Sequence, residues 1–588
     1  MNNSSANQPL SDLRIAAMSP SPGILLKMLG PVLDRVLGIS KMRKLYLDNA
    51  FSGLDKQQFS SRLLEALGVK VNGIDDVIAQ IPKSGRAIVV CNHPYGMIEG
   101  VIIAHLLYRH RQDTKIMANV GLKVFKEIRD YFIFANPLKP KSPINTTAIK
   151  QCFNHIEQDG LLVLFPAGRV SFFRPEKGCI TDGDWNRLTV NLATKFDAPV
   201  LPLFISGTNS RLFHRMGRIY YRFRLLMLAR EMFKLQQHQI SLTSNGLVSA
   251  AQLKSLQNVT KMNDYIRTRC YLNDHSYHAP WPEQNDLPDA QPLAEPTDKS
   301  LIKHELAQLP AEQHLLDFKS FSVYYGYQAQ IPACVHEIAR LREVTFRTMD
   351  EGSGNPIDGD KFDATYMHLL VFDHKNDEII GAYRIGQTDL LQQNGGLSAL
   401  YLSQMFAFKP EFINQREPCL EMGRSFIVQA HQNSFHGLLL LFKGIGAFVS
   451  QNPRYRTLYG TVSLSKLYDP RSVALINKIM VTQPDGVYAR TTFDGKLHPE
   501  VNAFVELEKN NIALLSTLVR VLETDDKDIP VLLRQYHKLG AKFHCTGIDT
   551  NFNQTPGLLL SVDLPKAPAK LLKLYLGAAK DEYLAYRG

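Results

Sequence analysis

The sequence predicts two α/β domains joined by a linker, and three observations support this. Strand-like apolar runs alternate with helical stretches in the first half of the chain, which is typical of an α/β sheet. Residues 1–270 carry 36 basic and 19 acidic residues, a net charge of +17, whereas residues 271–588 carry 31 and 37, a net charge of −6. Residues 273–300 contain five prolines and little apolar content, as linkers do.

The composition is that of a soluble globular protein. The 588 residues are 45% hydrophobic and 21% charged, which excludes a disordered or fibrous chain. The seven cysteines are scattered without a Cys-x-x-Cys pair, so we expect no zinc ribbon or disulfide framework and a reducing compartment. Met1–Pro20 lacks the basic start and apolar block of a secretory signal. No run of about 18 apolar residues predicts a spanning helix.

These features predict four regions. An N-terminal helical region covers residues 1–75, a first domain 76–270, a linker 271–315 and a second domain 316–588. Gly23–Gly38 has apolar residues at helical spacing, broken by charged ones, so this helix either packs on its own domain or lies in a membrane interface.

Three buried strands are predicted in the first domain, at Arg86–Cys91, Gly160–Phe165 and Ala198–Ile205. Helical stretches separate them, for example at Glu99–Arg111 and Thr146–Gln158. Functional groups of such sheets lie just beyond the carboxyl ends of the strands, so the catalytic residues are expected there.

The first candidate site follows the first of these strands. Asn92 and His93 come directly after it, and a glycine-containing turn leads to Glu99 at the start of a helix. A histidine oriented by a carboxylate is what a general base requires, although a lone histidine near an acid is more often structural. After the second strand, the segment Phe165–Ser171 supplies Gly168, Arg169 and Ser171.

Together with the Pro199–Pro202 strand, the segments Asn92–Gly100 and Phe165–Ser171 resemble the glycerolipid acyltransferase superfamily. With Asn209–Phe213 included, they are most similar to the branch that acylates lyso-ornithine lipid. The resemblance covers roughly residues 75–240.

The resemblance implies roles for individual residues. His93 and Glu99 are catalytic, and substrate is bound by Asn92, Gly168, Arg169 and Ser171. Five residues separate the histidine from its acid where the superfamily has four, and Ala167 replaces the usual glutamate. Arg169 either binds a substrate carboxylate through two hydrogen bonds or holds the loop.

A basic stretch follows between Arg211 and Lys234. It holds six arginines and one lysine, interleaved with aromatic residues, against the single acid Glu231. This composition suits anionic lipid headgroups or an acidic carrier protein, an ordinary solvated face, or RNA. Arginine stems also cover apolar surface.

In the second domain, charged residues recur at strand-like positions. Arg342 begins an Arg-x-x-x-Phe pattern, Asp360 and Asp363 form an Asp-x-x-Asp, and the hairpin of Met367–Asp373 with Glu378–Arg384 ends at an arginine. The segment Cys419–Ser425 contains a Glu-x-x-Arg. Each charge alone is typical of a solvent-facing strand residue.

Taken together, the four patterns resemble the N-acyltransferases of the acetyltransferase fold, which include ornithine N-acyltransferases and acyl-homoserine-lactone synthases. The match covers about residues 325–565 and implies a mixed α/β fold. It implies that Glu421 or Asp363 accepts the amine proton. It also implies four substrate-binding residues: Arg342, Asp360, Arg384 and Arg424. Coenzyme-A-dependent members bind pyrophosphate with an Arg/Gln-x-x-Gly-x-Gly/Ala pattern, and no clean copy of it stands between residues 320 and 500, which favours a carrier-protein thioester as donor.

Joined, the halves resemble bifunctional ornithine-lipid synthases. The resemblance implies that ornithine is N-acylated with a 3-hydroxyacyl thioester of acyl carrier protein and that the lyso-ornithine lipid is then O-acylated. It implies no bound cofactor or metal, no nucleic acid, and a place on the anionic inner face of the cytoplasmic membrane. Four alternatives stay open: glycine or lysine as the amino acid, a signalling acyl amide, a non-catalytic membrane-binding scaffold, and RNA binding by the basic module.

Overall fold

The structure, a computed structural model, describes residues 24–587 except 138, 140, 236–237, 279, 282–289, 410–411, 413–417, 433–434, 483–485 and 526. The predicted character of Met1–Pro20 lies outside these residues. The chain forms two compact units. The first contains the chain up to Tyr277 together with His498–Phe504, and the second contains His278–Leu497 and the chain from Val505 onward.

The first unit is built on a seven-stranded, mostly parallel sheet with the order β1-β9-β8-β2-β5-β3-β4. Its strands are β1 Lys70–Asn72, β2 Ala87–Cys91, β3 Lys115–Asn119, β4 Phe132–Ala135, β5 Leu161–Leu164, β8 Val200–Ile205 and β9 Gln239–Thr243, and a separate hairpin comprises β6 Phe172–Arg174 and β7 Cys179–Thr181. All residues of β2, β5 and β8 are buried, as expected for parallel strands covered on both faces.

The helices of the first unit pack around this sheet, and apolar residues of α3 and α5 join the same core as β2 and β5. They are α1 Ile24–Val36, α2 Ile39–Asp48, α3 Lys56–Leu67, α4 Ile74–Gln80, α5 Ile98–His110, α6 Pro143–Glu157, α7 Leu188–Phe196, α8 Arg211–Ile219, α9 Tyr221–Lys234, α10 Ala250–Ser255 and α11 Val259–Tyr271. The helix predicted at Gly23–Gly38 is α1. The region predicted as helical also holds β1, which pairs with β9.

The second unit has an eight-stranded, mainly antiparallel sheet with the order β10-β11-β12-β13-β15-β16-β19-β18. The strands of this unit are β10 His314–Phe318, β11 Phe321–Tyr327, β12 Met367–Asp373, β13 Glu378–Gln387, β14 Phe406–Phe408, β15 Cys419–Ile427, β16 Thr457–Ser463, β17 Val487–Ala489, β18 Lys542–Asp549 and β19 Thr555–Asp563. The pair β15–β16 is parallel. The predicted hairpin corresponds to β12 and β13.

Helices of the second part of the chain follow the same order. They are α12 Lys299–Gln308, α13 Pro332–Arg347, α14 Thr388–Gly395, α15 Gln429–Gln432, α16 Phe435–Gln451, α17 Pro470–Met480, α18 Pro499–Val505, α19 Ile512–Leu522, α20 Val531–Lys538, α21 Ala569–Leu576 and α22 Lys580–Ala585. The predicted linker therefore contains α12, which buries Ile302 and Leu306.

The predicted α/β class is confirmed in both units, with a doubly covered sheet in the first and a mixed sheet in the second. In the described part of the chain, no helix combines the length and apolar character that crossing a bilayer requires.

Candidate active sites

The first candidate site lies where the neighbouring parallel strands β2 and β5 end. Because carboxyl ends of parallel strands meet at one edge of the sheet, His93 after β2 comes next to the Phe165–Ser171 loop after β5. The backbone N–H of Ser171 donates to the carbonyl of His93 at 2.8 Å. Two segments far apart in sequence are thus joined at the predicted site.

His93 and Glu99 form a hydrogen-bonded dyad. His93 Nδ1 lies 3.0 Å from Glu99 Oε1, and the backbone N–H groups of Tyr95 and Gly96 donate to the same oxygen at 2.8 and 2.6 Å. Since an ionised carboxylate only accepts hydrogen bonds, Nδ1 carries the proton and Nε2 keeps its lone pair. Nε2 is therefore the atom able to take a proton from a hydroxyl.

The electrostatics of the dyad favour this role. Burial would lower the pKa of His93, but the Glu99 carboxylate outweighs it and holds that pKa above its ordinary value. Burial would raise the pKa of Glu99, and His93 and the Gly96 N–H hold it below its ordinary value. Glu99 is fully buried and stays ionised, so it stabilises the imidazolium that forms when His93 takes a proton.

Asn92 and Gly96 shape the backbone around His93. The Asn92 side chain donates to the Ile205 carbonyl at 2.9 Å and accepts from the Ile205 N–H at 2.7 Å, which ties β2 to β8. Gly96 has φ +95°, and a Cβ there would lie 2.3 Å from Val170 Cγ2. The turn between His93 and Glu99 therefore requires glycine.

The loop after β5 covers the histidine. The rings of Phe165 and His93 lie 4.8 Å apart, and Gly168 has φ +62° in the turn closed by its N–H to the Phe165 carbonyl. Arg169 is exposed. Burial and the positive charge of Arg169 both lower the pKa of Arg224, so two guanidinium groups lie close together beside this loop.

The sequence motifs did not reveal Asp182, whose carboxylate holds the backbone of His93 and the side chain of Ser171 in place. This fully buried carboxylate accepts from the His93 N–H at 3.1 Å, from Ser171 Oγ at 2.6 Å and from Trp185 Nε1 at 2.9 Å. Burial raises its pKa, and the bonds from Ser171 and Trp185 oppose that rise. Asp182 fixes the backbone of His93 through contacts distant in sequence, so no local motif marked it.

The basic stretch is divided between two environments. Arg211, Arg215 and Arg218 are exposed along α8. Arg218 also lies over the Phe173 ring at 4.2 Å, and Arg224 lies over the Phe172 ring at 4.7 Å. Part of the stretch therefore packs on the β6–β7 hairpin, as arginine stems and guanidinium planes commonly do.

The second candidate site is a network of arginines and aspartates in the second unit. Arg342 of α13 makes a bidentate ion pair with Asp363, both bonds at 2.9 Å, and it also donates to the Asp358 carbonyl. Arg384 of β13 donates to Asp360 at 2.6 Å and to Asp363 at 3.2 Å. Burial would raise the pKa of Asp363, but Arg342 and Arg384 hold it well below its usual range. Asp363 is thus a poor proton acceptor.

Glu421 lies in a separate, tyrosine-lined part of the interior. Tyr366 OH and Tyr459 OH each donate to its carboxylate at 2.8 Å, and the Leu402 N–H donates at 3.2 Å. Burial raises its pKa, and the two tyrosines oppose that rise. Both Glu421 oxygens already accept hydrogen bonds, so the group is anchored in the core.

Arg424 is brought to the network by a bulge. It has φ +48°, and the β13–β15 register shifts between Ala382 and Arg384, opposite this residue. In a regular strand, residues 421 and 424 would face opposite sides of the sheet, but the bulge lets Arg424 Nη2 donate to Tyr401 OH at 3.1 Å. Arg424 Nε also lies 3.5 Å from Asp358.

An opening in the sheet lies next to Arg424. The parallel pairing of β15 with β16 ends at Met422 and Gly460, after which β15 follows β13 to Ile427 and β16 follows β19 to Ser463. A Cβ built on Gly423 would meet no atom within 4 Å. We call this divergence the sheet opening. Strand edges facing such an opening offer backbone hydrogen-bonding groups to an extended ligand.

Both units match known families. Residues 32–280 match the family model described as Acyltransferase, and residues 341–442 match the model described as Acetyltransferase (GNAT) domain. The predicted combination of an acyltransferase domain with an acetyltransferase-like domain is confirmed, and the chain is an acyl-transferring enzyme.

Curated relatives include enzymes of amino-acid lipid synthesis. The chain is 27% identical over 296 residues to a glycine N(alpha)-acyltransferase of Bacteroides thetaiotaomicron, covering 46% of this chain and 86% of that protein. It is 28% identical over 233 residues to a lyso-glycine lipid O-acyltransferase of the same species, covering 37% and 79%. A solved CoA-dependent acyl-homoserine lactone synthase is 11% identical, with a TM-score of 0.23 over 44% of this chain and 88% of that one.

Proposed function

We propose that this chain makes a diacylated amino-acid lipid in two transfers. The second unit joins the amine of the amino acid to a 3-hydroxyacyl chain, and the first unit acylates the 3-hydroxyl. The main support is that one chain holds two different sites. The His93–Glu99 dyad can take a proton from a hydroxyl, and the sheet opening beside Arg424 can hold an amino acid and a thioester. Relatives named for the corresponding glycine reactions support this pairing.

The O-acyl transfer follows from the dyad. His93 Nε2 takes the hydroxyl proton as the oxygen attacks the thioester carbonyl, and Glu99 stabilises the imidazolium. The C–O bond forms, the C–S bond breaks, and His93 returns the proton to the leaving thiolate. The exposed Arg169 stabilises the oxyanion or holds the carboxylate of the substrate.

The N-acyl transfer uses the sheet opening. An extended thioester arm pairs with the free edges of β15 and β16, and Arg424 binds the carboxylate of the amino acid. Arg342 is 1% exposed and makes two hydrogen bonds to Asp363, so it positions Asp363 and, through Asp363, Arg384, rather than binding substrate. The product carries a free 3-hydroxyl, the substrate of the first unit. Fusion keeps this amphiphilic intermediate near its next site.

For the amino acid we propose ornithine, with glycine as the second candidate. Asp549 is buried, accepts from Tyr401 OH at 2.6 Å and interacts electrostatically with Arg424. A carboxylate beside the arginine proposed to bind the substrate favours an amino acid with a second ammonium group. The names of the relatives favour glycine. Competition among equimolar ornithine, lysine and glycine for one thioester, with products resolved by mass, distinguishes them.

The proposed donor is an acyl carrier protein. The sequence between residues 320 and 500 holds no clean copy of the Arg/Gln-x-x-Gly-x-Gly/Ala pattern that binds pyrophosphate, which supports a carrier thioester over acyl-CoA. Arg454, whose side chain is 43% exposed beside Asp389, offers a cation for an acidic carrier, whereas Arg456 donates to the Tyr583 carbonyl at 2.9 Å. The ratio of kcat/KM values with the two donors tests this choice.

We also propose that the first unit binds an anionic membrane surface. On α1, Met28, Val32 and Val36 are exposed, and on α8, Ile219 is exposed near Arg215. Exposed apolar residues beside cations fit the interface of an anionic bilayer. Cosedimentation with vesicles containing phosphatidylglycerol, but not with pure phosphatidylcholine vesicles, is the expected result.

The decisive experiment is lipid mass spectrometry in a host that lacks aminolipids. The full chain yields a diacylated amino-acid lipid, and His93→Ala accumulates the monoacylated form, because only the hydroxyl-activating base is lost. Absence of any new aminolipid despite soluble expression would refute the proposal and favour a non-catalytic scaffold. A diacylated product from His93→Ala would remove His93 from the mechanism.

A further inference from the structure

We infer that Glu351 is the residue that takes the proton from the substrate amine in the second unit. The inference rests on the proposed N-acylation. Glu351 follows α13, outside the four sequence patterns that marked this site. Its assignment comes from the position and hydrogen bonding of its carboxylate.

A proton acceptor needs an accessible lone pair as well as a suitable position. Asp363 uses both oxygens in ion pairs with Arg342 and also accepts from Arg384. Glu421 uses both oxygens, which accept from two tyrosine hydroxyls and a backbone N–H. Each oxygen of these two sequence-predicted candidates already accepts a hydrogen bond, so a carboxylate with an oxygen that accepts none is the better proton acceptor.

Glu351 has such an oxygen. Its carboxylate is buried, and Ser463 Oγ donates to Oε2 at 3.1 Å. Among the described residues, no hydrogen-bond donor is found at Oε1. Burial raises the pKa of Glu351 to about 7, partly opposed by Ser463 and Arg424 and helped by Asp350. At neutral pH this carboxylate both accepts and releases a proton.

Glu351 also lies in a suitable place for this role. Ser463 is the last residue of β16, on one side of the sheet opening, and Arg424 of β15 lies on the other side. Glu351 bonds to Ser463 and interacts electrostatically with Arg424, so its carboxylate lies at the mouth of the opening. An amino acid held by Arg424 would present its amine to Glu351 and to a thioester lying between the strands.

The step balances without a further reactant. The ammonium group gives one proton to Glu351, and the freed lone pair forms the C–N bond with the thioester carbonyl. The C–S bond breaks, and the leaving thiolate takes the second proton that the nitrogen loses as the amide forms. The proton held by Glu351 is released to the solvent, which restores the carboxylate.

The test uses the purified full chain with an acyl thioester and the amino acid, and measures N-acylated product from pH 6 to 9.5. Glu351→Gln lowers kcat by about 10²- to 10⁴-fold, the usual contribution of a general base. The rate of the Glu351→Gln variant then rises about tenfold per pH unit, because the variant can use only substrate whose amine has already lost its proton in solution. Ser463→Ala removes the hydrogen bond to Oε2 and moves the acidic limb of the kcat profile to higher pH.

Glu523→Gln is the matched control. Glu523 is also a buried glutamate of the second unit whose pKa is raised by burial, and it accepts from the Asp469 N–H at 3.0 Å. This variant keeps the kcat and the acidic limb of the unsubstituted chain. O-acylation of a lyso-lipid by each preparation shows that the first unit is folded. Thermal unfolding of each preparation shows whether the second unit is folded.

The outcomes separate the two hypotheses. If Glu351→Gln is folded and keeps more than a tenth of kcat with an unchanged acidic limb, the assignment of Glu351 is overturned. If the unsubstituted chain gives no N-acyl product from ornithine, lysine or glycine, the proposed N-acylation itself is overturned. The expected pattern, a loss confined to N-acylation and relieved at high pH, supports both.

Discussion

Replacing Glu99 by glutamine removes one charge from the first site while keeping its shape. At the 3.0 Å separation of His93 Nδ1 and Glu99 Oε1, an effective dielectric constant of about 20 gives an interaction of about 5 kcal/mol between imidazolium and carboxylate. Each 1.4 kcal/mol corresponds to about tenfold in rate, so complete loss amounts to between three and four powers of ten. Because the amide oxygen still accepts from His93, we expect kcat for O-acylation to fall about 10³-fold.

The assay is O-acylation of a lyso-lipid by the full chain, with N-acylation of the same preparation as the control. Glu99 Oε2 is buried, and no hydrogen-bond partner for it is found in the described structure. An NH₂ group at that position would be an unpaired donor, which costs about 1–3 kcal/mol of stability. A large loss of kcat with a small loss of stability is therefore expected. A Glu99→Gln enzyme within tenfold of the original kcat would refute the dyad mechanism.

The pH dependence of O-acylation is a second, independent test of the interaction between His93 and Glu99. His93 acts as a base only when neutral, so O-acylation declines as the pH falls through its raised pKa. Without the Glu99 carboxylate, burial dominates and lowers the pKa of His93, so the acidic limb of the rate profile moves to lower pH. A limb that stays in place or moves to higher pH would contradict the proposed electrostatics.

Two further variants test the backbone around the dyad. Asp182→Asn weakens an acceptor shared by three donors, including the His93 N–H. We therefore expect the free energy of unfolding to fall by about 1–3 kcal/mol. Denaturant unfolding measures this change, and an unchanged midpoint would contradict it. Gly96→Ala places a methyl group 2.3 Å from Val170 at a positive φ, so it costs at least about 1–3 kcal/mol. The control Gly100→Ala, where the nearest contact is 3.7 Å, is close to neutral or stabilising; equal effects of the two alanines would refute the steric argument.

The sequence predicted the elements whose pattern is local. The strands β2, β5 and β8 are continuous apolar runs, and burial on both faces made that pattern unambiguous. The strand β1 is only three residues long and is stabilised by its pairing with β9, so its local sequence did not distinguish it from a turn. The helix α12 was missed because the proline-rich composition before it extended the predicted linker.

The same distinction separates the residues of the sites. His93 and Glu99 are six positions apart, so one turn of chain fixes their contact and the sequence revealed it. Asp182 reaches His93 across 89 positions, a contact set by the packing of the hairpin. The side of the sheet on which Arg424 lies depends on a bulge, and Glu351 acquires its role only where β15 and β16 diverge. Such positions become visible only when the sheet is assembled.

The two proposed sites take a proton from different substrate groups, a hydroxyl and an ammonium group, and they use different bases. A hydroxyl loses its proton during attack, so it needs a base that stores the proton briefly, and we propose His93 with its carboxylate partner for this step. An ammonium group must lose its proton before it has a lone pair, and the cost depends on the gap between its pKa and that of the acceptor. Each pKa unit is worth about 1.4 kcal/mol, so burial of Glu351, which raises its pKa from 4.5 to about 7, lowers that cost by about 3 kcal/mol. Each base loses its proton-accepting form as the pH falls through its raised pKa, so both transfers are expected to decline on the acidic side of their rate profiles.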